Sequence, residues 1–117
     1  MIIGIGIDII EIHRLQEAID RWGSHFLNHV FTKEEIDYAQ GRKFPIQHFA
    51  ARFAAKEAVF KAFGNNPDIT WKDIVIMNDK HGKPFCKINK MNFPSQILLS
   101  ISHTKNYAVA NAIILQS

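Results

Sequence analysis

The chain has 117 residues, 47% of them apolar and 21% charged, which suffices for one globular domain (1–117) and excludes a second. Its formal charge of +3 mildly favours anionic partners, and the lone Cys86 excludes both an intrachain disulfide and a cysteine-based zinc centre and fits a reducing compartment. Gly4, Gly6, Asp8 and Glu11 interrupt the apolar N-terminus, no basic leader or cleavage signature is present, and no apolar run reaches the ~18 residues of a membrane span, so a cytoplasmic protein with no membrane partner is expected.

The stretch Ile2–Ile10 alternates with period two and predicts a strand. Ile3, Ile5, Ile7 and Ile9 form a β-branched row expected to face the core, with Gly4, Gly6 and Asp8 on the other face. Two glycines cost strand stability, so something is expected to approach that backbone closely. Gly4-x-Gly6 is not a dinucleotide fingerprint, because Ile9 stands at its third glycine and the motif lies inside the strand. Ile12, Leu15, Ile19 and Trp22 then predict a helix that ends at Gly23, with Arg14, Glu17 and Arg21 as its outer ridge. Glu17 stands three residues from Arg14 and four before Arg21 and can pair with either; alternatively, the two arginines dock an acidic partner helix.

Thr32-Lys33-Glu34-Glu35 is a capping box that opens a short helix to about Gln40, followed by a basic loop with Arg42 and Lys43. A long central helix is predicted from about Gln47 to a stop at Gly64. At 100° per residue Phe53, Ala54, Glu57, Phe60 and Lys61 share one face, and Ala55, Val59 and Ala62 a second. A helix this apolar is buried, so Arg52, Lys56, Glu57 and Lys61 need partners. Glu57 with Lys61 as an i,i+4 pair is one solution; a carboxylate holding a cation beside an amine holding phosphate is another. After the turn Asn65-Asn66-Pro67-Asp68, the pattern predicts strands over Trp71–Met77 and Phe85–Ile88 around a loop at 78–84, then a break at Pro94-Ser95. A last hairpin follows over Ile97–Ser102 and Tyr107–Leu115, tipped by His103-Thr104-Lys105-Asn106. One strand, then helices, then four strands imply an α+β fold with an antiparallel sheet packed on a long central helix.

Asp8 and Glu57 each stand on an otherwise apolar or glycine-lined face, and a pair of carboxylates suits Mg²⁺ shared with a phosphate ligand. Spacing alone does not bring them together. His13, His25, His29, His48 and His81 show no metal-ligand spacing and are taken as surface or core residues. Ser102-His103-Thr104-Lys105 offers donors and a cation suited to phosphate, whereas nothing resembles a nucleophile elbow.

In their order along the chain, Gly4-Ile5-Gly6-Ile7-Asp8, Phe31-Thr32-x-x-Glu35, Arg52-Phe53-Ala54-Ala55-Lys56-Glu57-Ala58 with Lys61-Ala62-Phe63-Gly64, Gly82-Lys83-Pro84 and Ser102-His103-Thr104-Lys105 resemble the holo-[acyl-carrier-protein] synthases, the small trimeric 4′-phosphopantetheinyl transferases. The resemblance implies Mg²⁺-dependent transfer of phosphopantetheine from coenzyme A to a serine of apo acyl carrier protein, releasing adenosine 3′,5′-bisphosphate in support of fatty acid biosynthesis. It implies Asp8 and Glu57 as metal ligands, Lys61 and His103 at the phosphates, Arg52, Gly64, Pro84 and Thr104 around the nucleotide, and Arg14 and Arg21 as the docking ridge for the carrier. Glu57, Lys61 and His103 are the catalytic candidates; either Glu57 or a water on the metal takes the serine proton. A homotrimer with active sites between subunits follows from the same resemblance and would relieve the poor surface-to-volume ratio of so small a core. Asn65-Asn66-Pro67-Asp68 departs from the glycine-richer loop of many relatives.

Two other readings fit less well. A nucleic-acid-binding module would use Arg42-Lys43 and Lys80, Lys83, Lys87 and Lys90, but these are interspersed with acids and no RNA-recognition signature appears, so no nucleic-acid partner is expected. A Mg²⁺-dependent phosphohydrolase could use the same carboxylates but leaves the ordered motifs unexplained.

Overall fold

A computed structural model describes residues 1–89 and 96–116. The elements run β1 (Ile2–Glu11), α1 (Ile12–Trp22), α2 (Ser24–Val30), α3 (Lys33–Gln40), α4 (Pro45–Ala62), a 3₁₀ turn (Trp71–Asp73), β2 (Ile74–Asn78), β3 (Pro84–Ile88), β4 (Gln96–His103) and β5 (Tyr107–Leu115). The fold is α+β, as expected, with its strands divided between an antiparallel sheet ordered β1-β5-β4 and a separate β2-β3 hairpin.

Small residues set the distance between α4 and the three-stranded sheet. Ala50, Ala51, Ala54, Ala55, Ala58 and Ala62 are buried along the helix, and Ala108, Ala110, Ala112 and Ile114 along β5. On β1 the approach is closer still: a Cβ at Gly4 would lie 2.1 Å from the Ala62 carbonyl oxygen, and one at Gly6 1.9 Å from that of Ala58. Both glycines are therefore required by space, and the body that approaches them is the central helix.

That contact corrects the expected direction of β1. Gly4, Gly6 and Asp8 face α4, whereas Ile3, Ile5, Ile7 and Ile9 lie on the outer face, 52%, 65%, 61% and 65% exposed. The alternation is the predicted one but its side is reversed, because a β-branched row cannot occupy the interface where helix and strand backbones nearly touch. β1 is an edge strand, and its register places Ile5 beside Ile113, Ile7 beside Asn111 and Ile9 beside Val109 on the same uncovered face.

Smaller differences are local. α2 was not predicted; its seven residues, with His25, Asn28 and His29, are too few and too polar to show a period. The expected strand from Trp71 begins instead as a 3₁₀ turn, whose Thr70 backbone N–H and hydroxyl both donate to Asp73 Oδ2 at 2.8 and 3.0 Å. α4 starts two residues early because Pro45 occupies its first turn, where no N–H is needed. The Pro94-Ser95 break and Lys90 lie outside the described residues. Among the described residues no helix is long and apolar enough to cross a membrane.

Candidate active site

On one flank of α4, Lys61 Nζ donates to Asp8 Oδ1 and to the Ile7 carbonyl oxygen, each at 3.1 Å. Glu57 stands one turn before Lys61. Its carboxyl is held above the ordinary value, first by burial and then by the negative charge of Asp8, with Lys61 partly offsetting both. Lys61 thus binds the strand acid instead of closing the i,i+4 pair with Glu57, and β1 and α4 bring the two predicted carboxylates into electrostatic contact. A cavity of about 130 Å³ beside Glu57 is lined by Phe60, Ile69, Thr70, Trp71 and Ile74. Gly64 closes the helix at φ +70° with open space around its missing Cβ, so conformation and not room selects glycine there. Asn65 follows at φ +57°, a left-handed setting that asparagine tolerates.

Arg52 is placed differently. It lies five residues before Glu57 and nine before Lys61, about 140° and 180° around the helix. Its side chain is buried; Nη2 donates to Asn78 Oδ1 at 2.5 Å, the guanidinium lies 4.0 Å from the Tyr38 ring centre, and Nε has no partner. Arg42 lies 4.2 Å from the same ring. His48 is held below its ordinary value by burial and by the charges of Arg52, Arg42 and His103, so four basic groups converge on this flank. Pro84 is close by, since it pairs in register with Asn78, whose Nδ2 donates to the Gly82 carbonyl oxygen at 2.9 Å. His103 pairs with Ala108 and Ala108 with Ile10, so His103 is two strands, roughly 10 Å, from β1. Thr104 Oγ1 accepts from the backbone N–H of Asn106 and Tyr107, at 3.3 and 3.1 Å, and shapes the hairpin tip.

The predicted residues therefore fall into two groups. Asp8, Glu57, Lys61 and Gly64 are together, and so are Arg52, Pro84, His103 and Thr104; α4 separates the sets. The sequence reading missed Tyr38, His48 and Asn78 and gave Arg42 no role here. The Arg42-Lys43 run was the signal available, but nothing in a linear pattern shows a tyrosine of α3 meeting two arginines.

A third surface lies on α1. Glu17 pairs with His13 at 3.1 Å instead of with Arg14 or Arg21. Arg14 approaches Glu11 only loosely, at 3.9 Å, and Arg21 lies 5.9 Å from the Trp22 ring. Both arginines line a shallow groove with Glu17, Ala18, Asp20 and Trp22.

The sequence profile described as the 4′-phosphopantetheinyl transferase superfamily matches residues 4–112. The chain belongs to that superfamily. Within it, the chain is 50% identical to a holo-[acyl-carrier-protein] synthase of Protochlamydia amoebophila, over 97% of this chain and 98% of the relative. Two solved holo-[acyl-carrier-protein] synthases share its fold. The Bacillus anthracis enzyme, described in complex with CoA (3′,5′-ADP), superposes with a TM-score of 0.88 at 38% identity, over 100% of this chain and 99% of that one. The Neisseria meningitidis enzyme gives 0.90 at 29% identity, over 99% and 100%. As a phosphopantetheinyl transferase of the holo-[acyl-carrier-protein] synthase kind, the chain is an enzyme.

Proposed function

We propose that this phosphopantetheinyl transferase moves 4′-phosphopantetheine from coenzyme A to a serine of apo acyl carrier protein, releasing adenosine 3′,5′-bisphosphate and supporting fatty acid biosynthesis in the cytoplasm. One observation carries the reading: a pair of acids in electrostatic contact on one flank of α4, the strand acid held by Lys61, with a cluster of basic groups on the other flank. The first suits a reacting pyrophosphate and the second a nucleotide phosphate.

The donor set fits Mg²⁺. Two carboxylates, one of them raised by burial and by the other's charge, are what a hard divalent cation relieves. Asp8 and Glu57 would hold it. When bound, the ion supplies charge neutralisation and alignment at the pyrophosphate.

In the transfer, the serine oxygen bonds to the β-phosphorus while the bond from that phosphorus to the adenosine bisphosphate oxygen breaks. Glu57 receives the serine proton, burial and the charge of Asp8 both favouring its protonated form. Lys61, held by Asp8 and the Ile7 carbonyl, offsets charge on the departing phosphate and can return a proton to it. Arg52, Arg42, His48 and His103 bind phosphate oxygens of the nucleotide; the buried, unpartnered Arg52 Nε is a donor available for that purpose. Arg14 and Arg21 receive an acidic helix of the carrier protein.

We further propose a homotrimer in which each site joins the Asp8 flank of one protomer to the Arg52 flank of the next. The exposed Ile3, Ile5, Ile7 and Ile9 supply a surface that a second copy would cover. The test of the activity is intact-mass analysis of apo acyl carrier protein incubated with coenzyme A, Mg²⁺ and this enzyme. A gain of one phosphopantetheine group is expected; an unmodified carrier under conditions where the enzyme binds coenzyme A refutes the reaction.

A further inference from the structure

Lys56 is wholly buried and takes no part in the proposed chemistry, although it is the residue immediately before Glu57. Its Nζ donates to Glu35 Oε1 at 2.6 Å, and both side chains are 0% exposed. The same carboxylate ties three elements. Oε1 also accepts from the Thr32 backbone N–H at the start of α3, and Oε2 accepts from the Ile76 backbone N–H of β2, each at 2.8 Å. Lys56 Nζ further lies 5.8 Å from the ring centre of buried Phe31. Glu35 was read from the sequence as a capping-box acid, and it is one; its two oxygens allow it to hold the lysine as well.

A buried ion pair is a poor source of stability, since apolar residues of similar volume do as well or better there. What it provides is a single geometry. Against the sheet, alanines of the helix lie on glycines and alanines of β1 and β5, a smooth surface with few knobs to resist rolling or sliding. The setting of α4 therefore rests on its other contacts, and this pair is a wholly buried one that joins it to both α3 and β2. A side-chain tip is about 5–6 Å from a helix axis, so a roll of about 20° moves it roughly 2 Å, comparable with a whole Mg²⁺–oxygen distance.

We propose that Glu35 and Lys56 are positioning residues: their buried pair pins the roll and axial setting of α4 against α3 and β2, and so fixes where Glu57 stands relative to Asp8. This inference rests on Asp8 and Glu57 being the metal-holding pair. The carboxylate of Glu35 also favours the charged form of Arg52, so the pin serves the other flank of the helix too.

The test measures metal binding directly, by electron paramagnetic resonance titration of the enzyme with Mn²⁺ in the presence of coenzyme A, beside thermal melts followed by circular dichroism. The variant Glu35→Gln/Lys56→Met removes both charges and leaves an amide oxygen to accept from Ile76. Its amide nitrogen then faces the Thr32 N–H and that one hydrogen bond is lost, so the variant should stay folded and melt a few degrees below wild type, yet bind Mn²⁺ about 10-fold or more weakly, the loss typical of a group that orients a ligand from behind. An unchanged Mn²⁺ affinity in the folded double variant overturns the proposal. Should that variant not fold, Glu35→Asp decides, since it keeps both charges and shortens the arm by one methylene: weaker Mn²⁺ binding at an unchanged melting temperature supports the pin, and unchanged binding overturns it. Asp8→Asn is the control for the underlying reading. If it binds Mn²⁺ as wild type does, the metal assignment itself fails and takes this inference with it, an outcome separate from a wild-type site indifferent to Glu35.

Discussion

Replacing Gly6 with alanine adds one methyl group where β1 meets α4, and its cost can be worked from the geometry. The new Cβ would lie 1.9 Å from the Ala58 carbonyl oxygen, 2.8 Å from the Ala62 nitrogen and 2.9 Å from the Ala58 carbonyl carbon. All three are backbone atoms, so no rotamer change relieves the clash and the helix must retreat by more than about 1 Å. Overpacking of a well-filled interior costs about 1–3 kcal/mol, and a clash with immovable backbone belongs at the upper end. For a chain of this length that is a fall in melting temperature on the order of 10 °C. The same retreat carries Lys61 away from Asp8, now 3.1 Å apart, and a misplacement of about 1 Å can lower turnover ~100-fold. Gly64→Ala is the matched control. Nothing lies within 4 Å of its Cβ, so only the left-handed conformation is penalised, by about 1–2 kcal/mol. Thermal melts and carrier-modification kinetics on both variants check the reasoning. A Gly6→Ala enzyme that melts within 2 °C of wild type, a shift of about 0.5 kcal/mol, and keeps full turnover would refute the close approach of helix and strand.

Three further predictions address the other surfaces. Ile7→Glu places a charge at an exposed position, so it should leave the monomer folded yet block association, giving a monomer by analytical ultracentrifugation with activity lowered at least ~100-fold; a fully active monomer would show that the two flanks need not meet across subunits. Glu57 gives a pH signature of known sign: a carboxyl whose proton affinity is raised on folding favours the folded state at low pH and ceases to do so as pH rises through its raised value, so the melting-temperature advantage of Glu57→Gln over wild type should grow across that window, and a gap that narrows with rising pH contradicts the burial beside Asp8 and Lys61. Arg14→Glu breaks only a loose surface contact to Glu11, so stability should change by less than about 0.5 kcal/mol, while the KM for carrier protein rises and that for coenzyme A does not; equal changes in both would remove Arg14 from the docking surface.

The amino-acid pattern by itself determined most of the strands and helices, though neither α2 nor the 3₁₀ turn at Trp71–Asp73, that Gly4 and Gly6 mark a close approach, and that the charges of the central helix must find partners. Those are local consequences of period, backbone freedom and the cost of burying charge, and they hold wherever the segment is placed. Tertiary structure decided the rest. A strand's alternation defines two faces without saying which one a helix will cover; contact with α4 turned Ile3, Ile5, Ile7 and Ile9 outward. Lys56 found Glu35, 21 positions away, because α3 and α4 pack side by side, and Arg52 and Glu57 were sent to opposite flanks by a helical turn that matters only once each flank has a neighbour. Partners so distant in sequence meet through the packing of whole elements, which no short stretch of the chain encodes.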